Sequence, residues 1–263
     1  MSVINMKKLS LLLLSLLLFG CANATTQITT VYQLNNPIYK VGGSEQTESY
    51  AAAKKRFPYA KMVPYSSVEE LLPALQTEKI DGAVFDRPTL DYSAALFDDA
   101  FVVLPEDLAE GHVAIAAPKK KTELMKKVNA YIKKYKKDGT FEEMYKRWIK
   151  TPYSEMPKIK EPGKPERTLK FATEIHNKPM NFRNEKGELV GFNVELIKRL
   201  ALYLNVKAEI VVMDYDKLYE AVGTGEVDLA VASMDVKEGL ESSILFSDEY
   251  IECPAAVMVR KVK

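Results

Sequence analysis

The pattern of apolar and polar residues along the chain predicts an alternation of buried strands and amphipathic helices. Residues 80–85 and 227–232 are nearly continuous apolar runs, which are typical of strands covered on both faces in a parallel sheet. Residues 169–173 and 208–213 predict two further strands, and apolar residues at helical spacing after Asn193 predict a helix between them. This β-α-β-α-β order predicts a doubly wound α/β sheet.

Two segments of this pattern repeat each other. Residues 70–86 align with residues 217–233 at a constant offset of 147 positions, and Leu, Ala, Thr, Asp and Val recur at matching places. Each copy predicts a short helix, a polar turn and a buried strand, so the chain is expected to form two similar lobes. Ligands of open α/β sheets bind at the carboxyl ends of the strands, so facing lobes would present Asp86 and residues 233–237 to a shared cleft.

A proline-rich segment divides the chain. Residues 151–167 hold four prolines among charged residues and show no apolar period, which predicts a semi-extended linker. Before it, apolar residues recur at helical spacing over 124–135 and 141–149, and these stretches predict two helices.

The first twenty residues carry the features of a secretory signal peptide. Lys7 and Lys8 precede an apolar stretch over residues 9–19, which is shorter than the roughly 20 residues that a membrane-spanning helix needs. The cleavage site has two interpretations. Residues 18–21 resemble a lipobox, which predicts lipidation of Cys21, whereas residues 22–24 form an A-x-A site for ordinary signal peptidase. Either way we expect the protein in the periplasm or on the extracytoplasmic face of a membrane. If the lipobox is used, the lipid on Cys21 is its only membrane attachment; otherwise the protein is secreted to the periplasm.

Composition excludes several classes of function. The chain has 263 residues, 47% hydrophobic and 28% charged, which is typical of a globular protein. Its formal net charge of +1 gives no general attraction to nucleic acid, so no nucleic-acid partner is expected. Two cysteines and two histidines, each pair far apart, predict neither a disulfide framework nor a metal site, and no cofactor is expected.

Several motifs resemble those of bacterial extracytoplasmic solute-binding proteins of the polar amino-acid type, known as family 3. Residues 188–196 resemble the G-F-D-V-[DE]-L helix start of that family's first lobe. Further matching segments are residues 225–232 and 246–250 for the first lobe, residues 41–44 and 79–86 for the second lobe, and residues 138–148 for the closing segment. The resemblance implies a two-lobed, type II periplasmic-binding-protein-like α/β fold.

The order of these motifs differs from that of the family, so the lobes are expected in circularly permuted order. Residues 27–110 would form the second lobe, residues 111–150 the closing helices that return to the first lobe, residues 151–167 the linker, and residues 168–263 the first lobe. A swap of half-domains between two chains is the alternative. One copy of each lobe and a long linker favour a single-chain permutation and a monomer.

The resemblance also implies a ligand site. Family members clamp an α-amino acid between their lobes, and the aspartate after the second-lobe strand, here Asp86, takes the ammonium group. The carboxylate side departs from the pattern, because Leu240 stands where the carboxylate-binding arginine belongs, while Asp235 and Lys237 replace a serine and a threonine. Asn177 stands where an aromatic ring stacks on the ligand. The candidate ligand-binding residues are Ser44, Thr47, Asp86, Arg87, Glu174, Asn177, Ser233, Asp235 and Lys237.

Three functions remain open at the level of the sequence. The first is capture of a small polar, amine-containing solute for ABC-type uptake or sensing, with an ABC permease or a membrane sensor as partner. The second is a dehydratase-like periplasmic enzyme on the same fold, in which Glu174 or Asp235 would serve as general acid, although no catalytic motif supports it. The third is an interaction module that has lost amino-acid binding.

Overall fold

The computed structural model describes residues 26–45, 47–97 and 100–262. The predicted signal peptide and Cys21 lie outside these residues. Within the described ranges, no helix combines the length and apolar character required to cross a membrane.

Strands and helices alternate along the chain as the apolar pattern predicts. The strands are β1 Lys40–Ser44, β2 Lys61–Tyr65, β3 Gly82–Asp86, β4 Phe101–Val103, β5 His112–Pro118, β6 Thr168–Thr173, β7 Phe182–Arg183, β8 Leu189–Val190, β9 Lys207–Val212, β10 Leu229–Asp235, β11 Ile244–Phe246, β12 Ile251–Glu252 and β13 Ala255–Arg260. The helices are α1 Glu48–Arg56, α2 Val68–Gln76, α3 Arg87–Leu96, α4 Thr122–Lys137, α5 Thr140–Tyr145, α6 Phe192–Leu204 and α7 Tyr215–Thr224. A 3₁₀ turn covers Val31–Leu34, and a π-helical turn over Lys146–Lys150 continues α5.

Two sheets share one topology. The sheet of the second lobe has the order β2-β1-β3-β13-β4, and the sheet of the first lobe has the corresponding order β9-β6-β10-β5-β11. In each sheet the first three strands are parallel, while the remaining two contacts are antiparallel. The repeat of residues 70–86 and 217–233 is therefore also a structural repeat, since α2 and β3 in one lobe correspond to α7 and β10 in the other.

Apolar clusters cover both faces of each sheet. In the first lobe, one cluster joins the sheet to α4, the end of α5 and α6, and another joins it to α7. In the second lobe the two clusters lie against α2 and α3 on one side and α1 and the 3₁₀ turn on the other. Burial on both faces explains why the central strands are continuous apolar runs.

The last strand corrects the predicted boundary of the first lobe at residues 168–263. β13 pairs with β3 and β4, so residues 255–260 belong to the sheet of the second lobe. Conversely, β5 lies in the first-lobe sheet, so residues 111–150 contribute a strand as well as helices. The apolar run of β13 predicts burial but is compatible with either sheet. The chain therefore crosses between lobes twice, near Gly111 and Cys253, where a Cβ on the glycine would lie 1.8 Å from the cysteine carbonyl oxygen.

The segment over residues 151–167, which the sequence predicts to be a linker, contains no helix or strand. Met156 packs against the core of the first lobe. The helical segment before the linker is fixed by Glu195 of α6, which is fully buried and accepts hydrogen bonds from the Trp148 indole at 2.7 Å and the Arg147 guanidinium at 2.8 Å.

Candidate functional site

The carboxyl ends of the parallel strands of both sheets meet at a cavity of about 130 Å³ between the lobes. Asp86 ends β3 of the second lobe, and Asp235 ends β10 of the first lobe. Seven of the nine predicted ligand-binding residues line this cavity: Ser44, Thr47, Asp86, Glu174, Asn177, Ser233 and Asp235. A second cavity of about 490 Å³ shares Glu48, Asp86 and Asp235 and extends to the two crossings between the lobes.

Asp86 is the candidate anchor for a ligand ammonium group. The Ser49 hydroxyl donates a hydrogen bond to its Oδ1 at 2.8 Å. Burial and the negative charge of Asp235 raise the pKa of Asp86 to about 7, against the lowering effect of the serine hydrogen bond. The residue occupies the N-cap position of α3, but its side chain makes no capping hydrogen bond there. Its carboxylate is therefore available to the cavity.

Asp235 approaches the same space from the first lobe. Tyr215 donates a hydrogen bond to its carboxylate, and the Tyr219 hydroxyl donates to its backbone oxygen at 3.0 Å. Burial and the charge of Glu48 raise the pKa of Asp235 to about 6, while Lys237 and the Tyr215 hydrogen bond lower it. Two carboxylates from opposite lobes thus carry charge into one cavity.

Glu174 forms a separate acidic centre in the cavity wall. It follows β6, is 6% exposed, and accepts hydrogen bonds from the His176 backbone N–H and the Asn181 side-chain amide. Burial raises the pKa of Glu174 to about 7 against these two hydrogen bonds, and the charge of Glu69 acts in the same direction as burial. Each carboxylate oxygen already has one donor and retains room for a second.

A chain of buried hydrogen bonds fixes the first-lobe wall. The Asn193 amide donates to Asn181 Oδ1 and, at 3.2 Å, to Ser233 Oγ. The Tyr250 hydroxyl donates to Asn193 Oδ1 at 2.8 Å and accepts from the Ser233 backbone N–H at 3.0 Å. Through Asn181 this chain reaches Glu174, so the two ends of the wall are held in one network.

The two hydroxyl residues predicted in the second lobe, Ser44 and Thr47, have different roles: Thr47 caps a helix, and Ser44 lies in the cavity wall. Thr47 is the N-cap of α1: its Oγ1 accepts from the Tyr50 backbone N–H at 3.2 Å and donates to the Ser44 carbonyl at 2.8 Å. Ser44 is 7% exposed and ends β1 at the cavity. The acidic side chain of Glu48 begins the same helix, so this helix end does not favour an anion from the ligand.

Asn177 connects the two lobes. Its Oδ1 accepts a hydrogen bond from the Thr89 hydroxyl of α3 at 3.2 Å. On the same side, Lys150 Nζ lies 2.9 Å from Asp91 Oδ2. The lobes are therefore in direct contact beside α3, and Asn177 forms part of this closed edge of the cleft.

Two predicted ligand residues, Arg87 and Lys237, lie outside the smaller cavity. The Arg87 guanidinium points to Asp107, with a closest contact of 2.5 Å, and donates to the Leu104 carbonyl at 3.0 Å, so its charge ties α3 to the segment after β4. Lys237 Nζ lies 4.3 Å from the centre of the Tyr219 ring on the exposed side of its loop. Long basic side chains reach partners that the local sequence does not reveal.

Sequence reasoning missed several residues that line the cavity or act on it. Ser49 and Glu48 come directly after the Thr47 cap, and a first helical turn that follows a buried strand could have indicated them. Tyr215 begins α7 and has no local signal. Further lining residues outside the prediction are Ser66, Ser67, Val68, Phe85 and His176.

The smaller cavity is strongly acidic. Glu48, Asp86, Glu174 and Asp235 line it, and its described lining includes no lysine or arginine. Among the residues that the structure describes, no group of three His, Cys, Asp or Glu side chains lies close enough to hold a metal ion. The arrangement suits an organic cation, because buried carboxylates form their strongest hydrogen bonds with charged donors.

Comparison with known proteins gives a match over most of the chain. The model of the bacterial extracellular solute-binding proteins, family 3, matches residues 39–151 and 169–263. A probable histidine-binding protein of Neisseria gonorrhoeae is 28% identical over 99 residues, 38% of this chain and 37% of that protein. An arginine-binding periplasmic protein of Mannheimia haemolytica is 26% identical over 83 residues, 32% of this chain and 35% of that protein. The matched part spans little more than a third of the length of these relatives.

Solved structures of two proteins also match. The arginine-bound domain 1 of TmArgBP is 29% identical, covers 36% of this chain and 80% of that chain, and has a TM-score of 0.30. The periplasmic VFT2 domain of BvgS from Bordetella pertussis is 12% identical, covers 86% of this chain and 81% of that chain, and has a TM-score of 0.43.

Proposed function

Because the chain belongs to the bacterial extracellular solute-binding proteins of family 3, we propose that it captures a small polar solute bearing an amine in the cleft between its lobes. The family is one of solute-binding proteins, and the relatives named above are binding proteins. The observation that carries the proposal is the meeting of Asp86 and Asp235, one from each lobe, in a cavity whose described lining has no lysine or arginine. A protonated amine would be held by charge-assisted hydrogen bonds from both lobes.

The proposal places the protein in the periplasm or on the extracytoplasmic face of a membrane. The predicted signal peptide over residues 1–20 supports export, and the lipobox supports a lipid on Cys21. The relative from Mannheimia haemolytica, which is named as an arginine-binding periplasmic protein, supports the same compartment. A bound solute would be passed to an ABC permease or detected by a membrane sensor.

We further propose that the lobes are permuted within a single, monomeric chain. The family model matches two separate segments on either side of the linker. The Gln27 side-chain amide donates to the Arg260 carbonyl at 3.1 Å, and the Val262 backbone N–H donates to Gln27 Oε1 at 2.7 Å. The first and last described parts of the chain are thus neighbours, as a permutation requires.

A thermal-shift screen of the purified protein tests solute binding. The screen should hold the twenty amino acids, diamines, polyamines, betaines and small peptides. We expect an amine to stabilise the protein by about 2.7 kcal/mol at 100 times its dissociation constant. Asp86→Asn should weaken that amine about a hundredfold, because a charge-assisted contact becomes a neutral one.

The matched control is Glu209→Gln, which removes the same charge from the exposed strand β9. It should bind the amine as the unchanged protein does. A screen in which no compound shifts the melting temperature contradicts the proposed function, and so does an amine whose affinity is the same in the Asp86→Asn variant.

A further inference from the structure

We propose that the cleft takes a dication without a carboxylate, an α,ω-diamine, whose two ammonium groups are held separately by the Asp86–Asp235 pair and by Glu174. This inference rests on the proposed function, since it concerns the ligand of the same cleft. The site is the cavity between the lobes. The positions of the acidic side chains in its lining indicate the charge and shape of the ligand.

Two acidic centres share the cavity but are distinct. The first is the pair of Asp86 and Asp235, which lines both interlobe cavities. The second is Glu174, which lines only the smaller of the two cavities. The charges that act on the two centres also differ: the charge of Asp235 raises the pKa of Asp86, whereas the charge of Glu69 in α2 raises that of Glu174. One ammonium group can satisfy either centre, and a second is needed for the other.

Hydrogen-bonding capacity is available at both centres. At Asp86, Oδ1 has the Ser49 hydroxyl as a donor. At Glu174, each oxygen has one donor, from His176 and Asn181. An ionised carboxylate has about four acceptor positions, so each centre retains room for the donors of an ammonium group. Neither centre has a lysine or arginine partner among the described residues of the cavity wall.

The cleft disfavours a ligand carboxylate. Leu240, at the position that the family resemblance gives to a carboxylate-binding arginine, packs against the apolar cluster of α7. Lys237 faces the Tyr219 ring. Lys55 and Arg56 line only the larger cavity, and the Arg56 guanidinium lies 4.7 Å from the centre of the Tyr32 ring. A carboxylate placed among four acidic side chains would be repelled without compensation.

A metal ion is a poorer match than an organic dication. Calcium takes six to eight oxygen ligands at one point, and magnesium requires a near-ideal octahedron. The described residues offer no cluster of three suitable side chains. Asp86 and Asp235 line both cavities, whereas Glu174 lines only the smaller one, and this separation suits two charges joined by an apolar chain.

Calorimetric titration of the full protein with matched ligand pairs tests the proposal. Lysine and 1,5-diaminopentane differ only by the carboxylate, as do ornithine and 1,4-diaminobutane, and each diamine has a monoamine of equal carbon number as control. At about pH 8, where the carboxylates are ionised, we expect the better diamine to bind at least about tenfold tighter than its amino acid and its monoamine.

The variant Glu174→Gln tests the contribution of the Glu174 centre separately from that of the Asp86–Asp235 pair. It should reduce the affinity of the diamine to that of the monoamine and leave the monoamine unchanged, while Glu209→Gln should alter neither. If Glu174→Gln fails to fold, the ligand pairs on the unchanged protein still decide the matter.

An amino acid that binds as tightly as its diamine overturns the dication proposal and leaves solute binding intact. Equal loss of diamine and monoamine in Glu174→Gln overturns the second centre. Absence of binding by every ligand here and in the thermal-shift screen overturns this proposal and the proposed function together.

Discussion

Three carboxyl groups carry the electrostatic character of the cleft. Burial raises the pKa of Asp86 and Glu174 to about 7 and that of Asp235 to about 6. A carboxylate with a raised pKa binds its proton more tightly in the folded state than in the unfolded state. Without a ligand, the folded protein is therefore more stable when these carboxyl groups are protonated. A cationic ligand stabilises their ionised form.

The sign of this effect gives a pH prediction for Asp86. Its stabilising contribution is fully present below the unfolded pKa of about 4 and is lost as the pH rises through the folded pKa of about 7. Asp86→Asn should therefore gain stability relative to the unchanged, ligand-free protein between about pH 5 and pH 8, by an amount on the order of 2 kcal/mol. Urea unfolding of both proteins across this range measures the difference.

For the control Glu209→Gln, the free energy of unfolding should differ from that of the unchanged protein by the same amount at every pH in this range. A difference between Asp86→Asn and the unchanged protein that does not depend on pH would contradict the buried, coupled state of this carboxyl group. The affinity for an amine should change in the opposite sense and rise over the same range, because the ionised carboxylate is the form that binds.

The sequence predicts the strand-end residues of the site better than the helix and loop residues. Asp86 and Asp235 follow long apolar runs, and the rule that strand ends meet at a ligand site identifies both. Ser49 and Tyr215 escape prediction because the direction of a helical side chain depends on how its helix packs on the sheet. The contact of Arg87 with Asp107 escapes prediction because the two residues are twenty positions apart in the chain.

At the scale of elements, the two copies of the repeat, residues 70–86 and 217–233, share a hydrogen bond as well as a sequence pattern. Asp81 precedes β3 and accepts the Lys40 backbone N–H at 2.8 Å, and Asp228 precedes β10 and accepts the Lys170 backbone N–H at 2.9 Å. The equivalent aspartates of the two copies thus join equivalent strands. They are structural, and their recurrence reflects the turn that each lobe requires.

The closing helical segment depends on one buried carboxylate. Glu195 in α6 receives the Arg147 guanidinium, the Trp148 indole and the Arg199 guanidinium, the last at 2.8 Å. Glu195→Gln should lower the free energy of unfolding by about 3 kcal/mol, because it removes the charge that compensates two arginines. Glu142→Gln on the exposed side of α5 is the control and should change it by less than about 0.5 kcal/mol.

Urea unfolding followed by Trp148 fluorescence measures this effect, since the indole reports its own environment. An unfolding free energy for Glu195→Gln equal to that of Glu142→Gln would show that the buried charge does not hold the segment. The apolar stripes predict both helices but not this attachment, because Glu195 has the pattern of an ordinary helix residue.

At the scale of the whole molecule, the protein has two pseudo-symmetric lobes, and the chain crosses between them to place β5 in the first-lobe sheet and β13 in the second-lobe sheet. The alternation of elements predicts the two sheets, while the destination of β13 is set by packing against β3 and β4 and not by its composition. The proposed permutation is supported by the proximity of Gln27 to Arg260 and Val262 and by a segment over residues 151–167 without regular structure.

Restoring the family order of the lobes tests the permutation. In this variant a short Gly-Ser link joins residue 262 to residue 27, and the chain opens within residues 151–167. We expect it to unfold within about 1 kcal/mol of the unchanged protein, since loop-closure free energy depends only weakly on loop length. Light scattering should give a monomer for both proteins, whereas a dimer of the natural order that becomes a monomer on reordering would indicate a swap between chains.

The most direct test of the central claim is a crystal structure of the protein grown with the tightest-binding amine of the thermal-shift screen. The account predicts electron density for the ligand between the lobes, with one ammonium nitrogen within about 3 Å of an Asp86 carboxylate oxygen and Asp235 facing it from the other lobe. Ligand density outside the cleft, or a ligand carboxylate bound at Lys55 and Arg56 with Asp86 uncontacted, would contradict it.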